Sequence, residues 1–449
     1  MERTTIEHLS EKKGGKVHVA GWVDVRRDHG KLIFLVLRDR SGNVQAVIRS
    51  GVNAFEAAQD VREQWVVSAQ GTVNERPDNM KKDGPNGDIE LAIEELTILS
   101  EAAEMPFDLD AELNLDTLLD YRPLTLRTQR NRDIFKVAAT IVQEYRNSLI
   151  KNEFTEFQAP ALVGGDAEGG AEVFKVEYFH DRTAFLATSP QLYKEIMTGA
   201  FERAFTIAKI FRAEKSSTTR HLSEVTQMDF EMGFIEDHHD VMEMLESVVR
   251  DVCSAVVETH ADVFTRFDTE APLLPEKPFP VLTLLEAQEI IEKKFNGKAV
   301  GEPDLEPEHE RQICEWAKKE KGSDFVFITE FPTKKRAFYT YPDSNNPERS
   351  YSFDLLFRGL EINSGSQRFH DYDQMVETIK ERGMDPEKFS FYLQMHKYGI
   401  PPHGGCSTGL ERFTARMLNI TNVKEAVPFP RDMNRIDTLL SKSDDNHDE

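Results

Sequence analysis

The chain has 449 residues, of which 79 are acidic and 55 are basic, so its formal charge at pH 7 is −24. A negative charge of this size argues against a protein that coats nucleic acid or an anionic membrane by bulk charge. The apolar runs are short and the N-terminus is polar, so we expect neither a membrane span nor a signal peptide. The three cysteines stand far apart without CxxC spacing, which excludes a zinc or disulfide framework and favours the reducing cytoplasm.

The first 105 residues alternate apolar and polar side chains, as half-buried strands do. Val17, Val19, Val23 and Val25 share one parity, and we expect all four to face a core. Four further strand-like runs follow, separated by turn-rich stretches: KLIFLVLRD, GNVQAVI, QWVVSAQGTV and IELAIEELTIL. Five short strands without a long helix predict a closed all-β barrel of the oligonucleotide-binding (OB) type over 1–105, with a sandwich fragment as the alternative.

An acidic, irregular link, predicted as a hinge over 106–130, separates the barrel from a region with a different period. Apolar residues there step by three and four, which predicts an amphipathic helix over about 131–151: Ile134, Val137, Ile141, Tyr145 and Leu149. A second helix is predicted through Val241, Leu245, Val248 and Val252. The intervening strand-like runs group together, which predicts an α+β catalytic domain with an antiparallel sheet over 131–438.

Two segments of this second domain have a distinct composition. The Pro-rich stretch LLPEKPFP and the charged residues after it predict an insertion over about 270–330. The tail over 439–449 is acidic and poor in apolar residues, which predicts disorder.

The first stretch that indicates chemistry is FRAEKSSTTRHLSEVTQMDFE. Arg212 and Glu214 follow a predicted strand, and Arg220 and His221 precede the next one. Because arginine offers forked donors that match phosphate oxygens, these groups at the mouth of a hairpin could hold a polyphosphate. A salt-bridged surface hairpin is an equal alternative on this evidence.

The second stretch is HGGCSTGLERFTARML, in which glycines precede a helix that opens with Glu411 and Arg412. A glycine-containing strand that runs into such a helix fits a phosphate site. Ordinary glycine packing explains the pattern equally well.

The third stretch is SFDLLFRGLEINSGSQRFH. Asp354 and Glu361 would lie on opposite faces of one continuous strand, whereas a turn at Arg358 and Gly359 would bring them together. Their carboxylates, with Ser364, would suit Mg²⁺. Solvated surface carboxylates are the alternative.

The order and content of these stretches resemble the three motifs of the class II aminoacyl-tRNA synthetases. The first motif is the long helix with FTEFQAPALV, the second is FRAE with RHLSEVTQMD, and the third is GLER. The resemblance is closest to the aspartyl branch in its archaeal-type form, through EGGAEVF, TSPQLYKE, GLEINSGSQR and YGIPPHGG. It implies an aspartate–tRNA ligase whose N-terminal barrel binds the anticodon and whose first motif forms a homodimer.

The resemblance also implies roles for individual residues. The catalytic residues would be Arg212 and Arg412. The residues that bind ATP would be these two together with Glu214, Arg220, His221, Leu222, Glu361, Gly409, Leu410 and Glu411. Mg²⁺ would be held by Glu361, Ser364 and Asp354. L-aspartate would be bound by Glu172, Gln191, Lys194, Ser364 and Arg368.

Two cations in the amino-acid pocket, Lys194 and Arg368, favour a ligand whose side chain is a carboxylate over asparagine. Asparaginyl relatives generally lack the lysine of QLYK. An asparagine–tRNA ligase, an adenylate-forming asparagine synthetase and a silent RNA-binding protein remain as alternatives. Val225 and Ser407 depart from the family pattern, which leaves a weakened paralogue open.

Residues 1–50 carry a local charge of +4, which fits a tRNA-binding barrel. The predicted anticodon residues are Arg26, Arg27, His29, Lys31 and Pro77. Trp22 and Phe34 would either stack on bases or fill the barrel core. By the resemblance, the partner would be tRNA(Asp); Pro77 resembles forms that also charge tRNA(Asn), which stays open as a second substrate.

Overall fold

A computed structural model describes residues 1–109, 111–165, 172–215 and 218–436. The chain forms two compact units, Met1–Ala111 and Glu112–Glu449. The predicted tail over 439–449 lies outside the described residues. The predicted hinge over 106–130 is not irregular throughout, because residues 115–125 contain two short helices.

The first unit is a closed barrel of five strands in the order β1-β2-β3-β5-β4, which confirms the predicted OB-type barrel. Its elements are β1 (Lys16–Asp28), β2 (Leu32–Arg38), β3 (Asn43–Arg49), α1 (Ala54–Asp60), β4 (Val66–Glu75) and β5 (Ile89–Ser100). Alternate residues of each strand, such as Ile33, Leu35 and Leu37, are buried in one core. Gly21 lets β1 cross β2 closely, since a Cβ there would lie 2.1 Å from the carbonyl oxygen of Arg38.

A β-bulge in β1 corrects the predicted parity of its valines. The pairing of β1 with β2 shifts register between Val23 and Val25. Val17, Val19 and Val23 are buried as predicted, but Val25 lies on the outer face of the barrel and is half-buried. The prediction failed for Val25 because one extra residue reverses the face of everything that follows it.

The second unit contains ten helices and eleven strands among its described residues. The helices are α2 (Leu115–Asp120), α3 (Arg122–Thr125), α4 (Gln129–Lys151), α5 (Gln191–Phe201), α6 (His238–Arg266), α7 (Leu284–Phe295), α8 (Pro307–Lys321), α9 (Tyr372–Glu381), α10 (Ser390–Tyr398) and α11 (Leu410–Met417). The strands are β6 (Thr155–Glu156), β7 (Leu162–Val163), β8 (Lys175–Tyr178), β9 (Arg182–Leu186), β10 (Arg203–Phe211), β11 (Glu224–Gly233), β12 (Val281–Thr283), β13 (Phe325–Thr329), β14 (Ser352–Phe357), β15 (Leu360–Gln367) and β16 (His403–Gly409).

Eight of these strands form one sheet in the order β12-β13-β14-β15-β16-β11-β10-β6. All neighbours are antiparallel except the two pairs at the sheet edges, so the predicted α+β domain with an antiparallel sheet is confirmed. The two predicted helices are α4 and α6, and their apolar faces share the main core. Thr128 begins α4 by accepting a hydrogen bond from the backbone N–H of Asn131.

Four central strands place polar residues opposite one another. Asp354 of β14 pairs with Ser364 of β15, Ser364 pairs with Ser407 of β16, and Ser407 pairs with Asp229 of β11. Since directly paired residues of neighbouring strands point to the same face, these four residues form one polar row across the sheet.

The segment predicted as an insertion contributes β12, α7, α8 and β13. Its strands extend the large sheet beyond β14, and its helices pack on a separate apolar cluster that includes Ile291, Ile313 and Ile328. None of the described helices combines the length and apolar character needed to span a membrane.

Candidate active site

One cavity of about 360 Å³ in the second unit brings most of the predicted site residues together. It is lined by thirteen of them: Gln191, Lys194, Arg212, Glu214, Arg220, His221, Leu222, Glu361, Ser364, Arg368, Gly409, Glu411 and Arg412. Glu172, Asp354 and Leu410 do not line it.

The β10–β11 hairpin explains why the residues of the second motif converge. Arg212 directly follows β10, and its backbone N–H donates to the carbonyl of Ser223 just before β11. Its guanidinium lies 3.8 Å from the Glu214 carboxylate, which is an ion-pair distance without a hydrogen bond. Ala213 donates its backbone N–H to the carbonyl of Glu172 at 2.9 Å. The exposed Glu172 is thus anchored beside Arg212, and the preceding part of EGGAE lies outside the described residues.

Two buried carboxylates hold the two cations of the predicted amino-acid pocket. Nζ of Lys194 donates to Asp229 Oδ2 at 3.0 Å and to the carbonyl of Cys406 at 3.1 Å, and it lies 3.5 Å from Glu231 Oε2. Nε of Arg368 donates to Glu231 Oε1 at 2.8 Å, and its Nη1 donates to Ser366. Burial alone would lower the pKa of Lys194, but Asp229 and Glu231 raise it, so the lysine stays charged.

This pairing corrects the charge argument from sequence. The two cations are not unpaired, because each forms an ion pair with a buried carboxylate of the chain. A ligand carboxylate would therefore compete with Asp229 and Glu231 for the donors of Lys194 and Arg368. It would not neutralise a cation that lacks a counterion.

A hydrogen-bonded chain supports Gln191 from behind. Its Nε2 donates to Glu195 Oε1 at 2.7 Å, while Tyr392 donates to Glu195 Oε2 at 2.6 Å. Nε2 of His403 lies 3.3 Å from the same oxygen. Burial would raise the pKa of Glu195, but His403, Arg368 and Tyr392 hold it at about 2. The fixed carboxylate orients the amide of Gln191.

Glycine at position 405 makes room for this arrangement. A Cβ there would lie 2.2 Å from Glu231 Oε2 and equally close to the carbonyl oxygen of Phe230. Any side chain at Gly405 would therefore push Glu231 away from Arg368.

The predicted magnesium residues lie on one hairpin. β14 and β15 are joined by a turn at Arg358 and Gly359, both with positive φ, as the sequence predicted. Asp354 pairs with Ser364, whereas Glu361 lies near the turn. Burial raises the pKa of Asp354 to about 6. Arg336, which sequence reasoning missed, donates to Asp354 Oδ2 at 2.9 Å and to Ser364 Oγ at 3.3 Å.

The predicted cations for the outer phosphates lie on the other side of Glu361. Nη1 of Arg412 donates to the carbonyl and to Oε2 of Glu361, at 3.1 and 3.2 Å. Arg220 forms a salt bridge with Glu310 of α8. Nδ1 of His221 lies 2.6 Å from Oγ1 of Thr218, and burial lowers the pKa of His221, so its ring is neutral at pH 7.

The remaining predicted ATP residues have structural partners. Both oxygens of Glu411 accept the backbone N–H of Thr226, at 2.9 and 3.0 Å, which fixes α11 to β11. Leu410 packs against the main core, and Leu222 is buried in it with one side toward the cavity. Gly409 begins α11 and leaves the cavity wall open beside Arg412.

Sequence reasoning missed Asp229, Glu231, Glu195, Arg336 and Glu310. Asp229 and Glu231 carried a usable signal, because acidic residues at a spacing of two in the strand MDFEM alternate with buried Met228 and Phe230. Glu310 carried no local signal that distinguishes it from the other glutamates of its helix.

The barrel unit has a separate cavity of about 470 Å³ on its outer face. Arg27, His29 and Phe34 line it together with Met80 and Lys82, which follow the exposed Pro77. The His29 and Phe34 rings meet edge to face, with centroids 5.7 Å apart. Phe34 is only half-buried, so it is not a core residue. Cations beside an accessible aromatic ring suit an unstacked base.

Arg26 does not join this cavity, contrary to the sequence prediction. Its Nη2 donates to Asp28 at 2.9 Å and to the carbonyl of Gln59, and its Nε donates to the carbonyl of Ala58. The bulge in β1 places Arg26 against α1 and Arg27 on the outer face. Lys31 is exposed in the following turn and does not line the cavity, and Trp22 lies under Arg38, whose guanidinium is 5.1 Å from the ring centroid.

Comparisons with known proteins agree with both units. Residues 114–433 match the family described as class II tRNA synthetases (D, K and N), and residues 17–99 match the OB-fold nucleic acid binding domain. Among solved structures, the asparaginyl-tRNA synthetase of Pyrococcus horikoshii, complexed with asparaginyl-adenylate, is similar with a TM-score of 0.89 and 33% identity, covering 97% of this chain and 99% of that one.

Curated relatives match over nearly their full length. The aspartate–tRNA(Asp/Asn) ligase of Thermus thermophilus is 41% identical over 440 residues, covering 97% of this chain and 99% of the relative. The aspartate–tRNA(Asp) ligase of Thermococcus kodakarensis is 38% identical over 441 residues, covering 96% and 98%. The chain therefore belongs to the class II tRNA synthetases of the D, K and N group and carries an OB-fold nucleic acid binding domain.

Proposed function

We propose that this chain is an aspartate–tRNA ligase, which activates L-aspartate with ATP and transfers it to the 3′ end of tRNA(Asp). The observation that carries the proposal is a single cavity that joins a pocket containing Lys194 and Arg368 to a phosphate side containing Arg212, Arg220 and Arg412. The relatives named above at 41% and 38% identity support the same activity.

The first step needs positioned charges and no side-chain nucleophile. An oxygen of the aspartate α-carboxylate attacks the α-phosphorus of ATP, and the bond to the β-phosphate oxygen breaks, so that pyrophosphate leaves with the electron pair. Arg212, which lines the same cavity, is the proposed residue whose guanidinium stabilises charge on the α-phosphate. Arg220 and Arg412 bind the outer phosphates, and Gln191, Lys194 and Arg368 hold the aspartate.

Magnesium fits the hairpin residues by donor chemistry. Glu361, Asp354 and Ser364 supply hard oxygen ligands, and Oδ1 of the buried Asp354 has no hydrogen-bond partner among the described residues. A bound Mg²⁺ would neutralise phosphate charge there.

In the second step the terminal 3′-hydroxyl of tRNA attacks the aspartyl carbonyl of the adenylate and AMP leaves. The barrel cavity with Arg27, His29 and Phe34 receives an anticodon base. The Thermus thermophilus relative, whose name covers both tRNA(Asp) and tRNA(Asn), and the resemblance of Pro77 to forms that charge both tRNAs support tRNA(Asn) as a second substrate.

Charging of unmodified tRNA(Asp) and tRNA(Asn) transcripts with labelled aspartate tests the function. We expect aspartyl-tRNA(Asp) to form, and aspartyl-tRNA(Asn) to form as well. A product with tRNA(Asp) alone would remove the second substrate. Charging of tRNA(Asn) with labelled asparagine and not aspartate would replace the proposal by an asparagine–tRNA ligase, which the similarity to the Pyrococcus horikoshii structure keeps as the competing candidate.

Arg27→Ala is expected to weaken tRNA(Asp) binding by about tenfold, because it removes a cation from the base-binding face. Arg26→Ala is the matched control, since Arg26 is the neighbouring cation on the opposite face and bonds to α1. Filter binding at several salt concentrations measures both, and aspartate-dependent ATP–pyrophosphate exchange should remain unchanged. Equal losses in the two variants would contradict the assigned face.

We further propose a cytoplasmic homodimer. The first motif contains α4, and Ile150 and Leu162 near its end are half-exposed apolar residues that a second copy would cover.

A further inference from the structure

One carboxylate outside the assigned site contacts two of its members. Glu310 lies in α8, in the segment that the sequence predicted as an insertion, and is 8% exposed. Its two oxygens form the salt bridge with the Nη1 and Nη2 groups of Arg220. Its Oε2 also accepts the backbone N–H of Glu361 at 3.1 Å.

The contacts fix the guanidinium of Arg220 but do not use all of its hydrogen-bond donors. Nη2 of Arg220 also donates to the carbonyl of Gly359 at 3.3 Å, so the guanidinium is tied to both α8 and the β14–β15 turn. Among the described residues these bonds leave the Nε–H and one Nη1–H of Arg220 for a ligand in the cavity.

We propose that Glu310 is a positioning residue for ATP: it holds Arg220 and the backbone of Glu361 in the geometry that the outer phosphates require. This inference rests on the proposed function. Glu310 acts through Arg220 and does not touch the nucleotide. A carboxylate that locks a guanidinium in advance lowers the ordering cost of phosphate binding.

Glu310→Gln, which keeps the shape and removes the charge, tests the proposal. In ATP–pyrophosphate exchange we expect the KM for ATP to rise by about tenfold, while the KM for aspartate stays within about twofold. Glu315→Gln is the matched control, because Glu315 is exposed on the same helix. An unchanged KM for ATP in a folded Glu310→Gln variant would overturn the proposal.

A double-mutant cycle distinguishes positioning from general stability. If Glu310 acts mainly through Arg220, Glu310→Gln adds to an Arg220→Ala chain only the smaller rise in the KM for ATP that its bond to the Glu361 backbone contributes, whereas effects that multiply in full would contradict the proposal. The shift in unfolding temperature that ATP induces gives a readout without turnover, and Glu310→Gln should reduce that shift. Exchange by the unsubstituted chain is the separate check on function: its absence would reject the aspartate–tRNA ligase itself.

Discussion

Arg212→Ala is expected to reduce aspartate-dependent ATP–pyrophosphate exchange by about a thousandfold or more. Loss of one preorganised donor at a developing oxyanion typically costs two to three orders of magnitude, and Arg212 also carries a full charge. Its guanidinium lines the cavity beside Glu214 at 3.8 Å and makes no hydrogen bond to another side chain among the described residues, so its donors are available to a ligand.

The control for Arg212→Ala is Arg62→Ala, an exposed arginine of the barrel unit. That variant should exchange normally. Circular dichroism and the unfolding midpoint should match the unsubstituted chain in both variants, because Arg212 is half-exposed and supports no buried group. Near-normal exchange by folded Arg212→Ala would reject the α-phosphate role.

Lys194→Met is expected to abolish aspartate activation and to lower the free energy of unfolding by about 3–5 kcal/mol. Lys194 is fully buried, and its removal leaves the buried Asp229 without its cation, whereas Glu231 keeps its ion pair with Arg368. Chemical denaturation measures the stability, and pyrophosphate exchange measures the activity. Lys293→Met removes an exposed lysine of a similar ion pair and should change the stability by less than about 1 kcal/mol.

Because instability alone could explain an inactive Lys194→Met chain, a second variant separates the two effects. Adding Asp229→Asn removes the unpaired charge and should restore part of the stability, but exchange should stay absent because the donor to the ligand is still missing. Arg368→Met should likewise lose aspartate activation. If both Lys194→Met and Arg368→Met retained it, the pocket assignment would be wrong.

Local periodicity was sufficient for the barrel strands and for the two longest helices of the second unit. Helices α4 and α6, of 23 and 29 residues, and the barrel strands, of 7 to 13 residues, follow from apolar spacing along the chain. The bulge between Val23 and Val25 could not be predicted, because the residue types in this strand are the same as those of a regular strand. It decided which of Arg26 and Arg27 faces the cavity.

The acidic partners of the site cations could not be predicted from the sequence either. Lys194 meets Asp229 from a different element, and Arg220 meets Glu310 from a segment ninety residues further along the chain. The resemblance to family motifs identified the cations, because the residue types and their order in these motifs are specific. Their counterions are ordinary acidic residues whose role depends on which strands and helices become neighbours.

The polar row across β14, β15, β16 and β11 fixes the distance between its two end residues. Asp354 and Asp229 stand at its two ends, three strand spacings apart, which is roughly 14 Å of backbone ladder. The sheet thus fixes the distance between the residue proposed to bind magnesium and the residue that holds the proposed amino-acid pocket. A side-chain substitution changes the affinity at one residue of the polar row. A one-residue insertion in β15 or β16 would instead shift the strand register and turn the row residues of that strand to the opposite face.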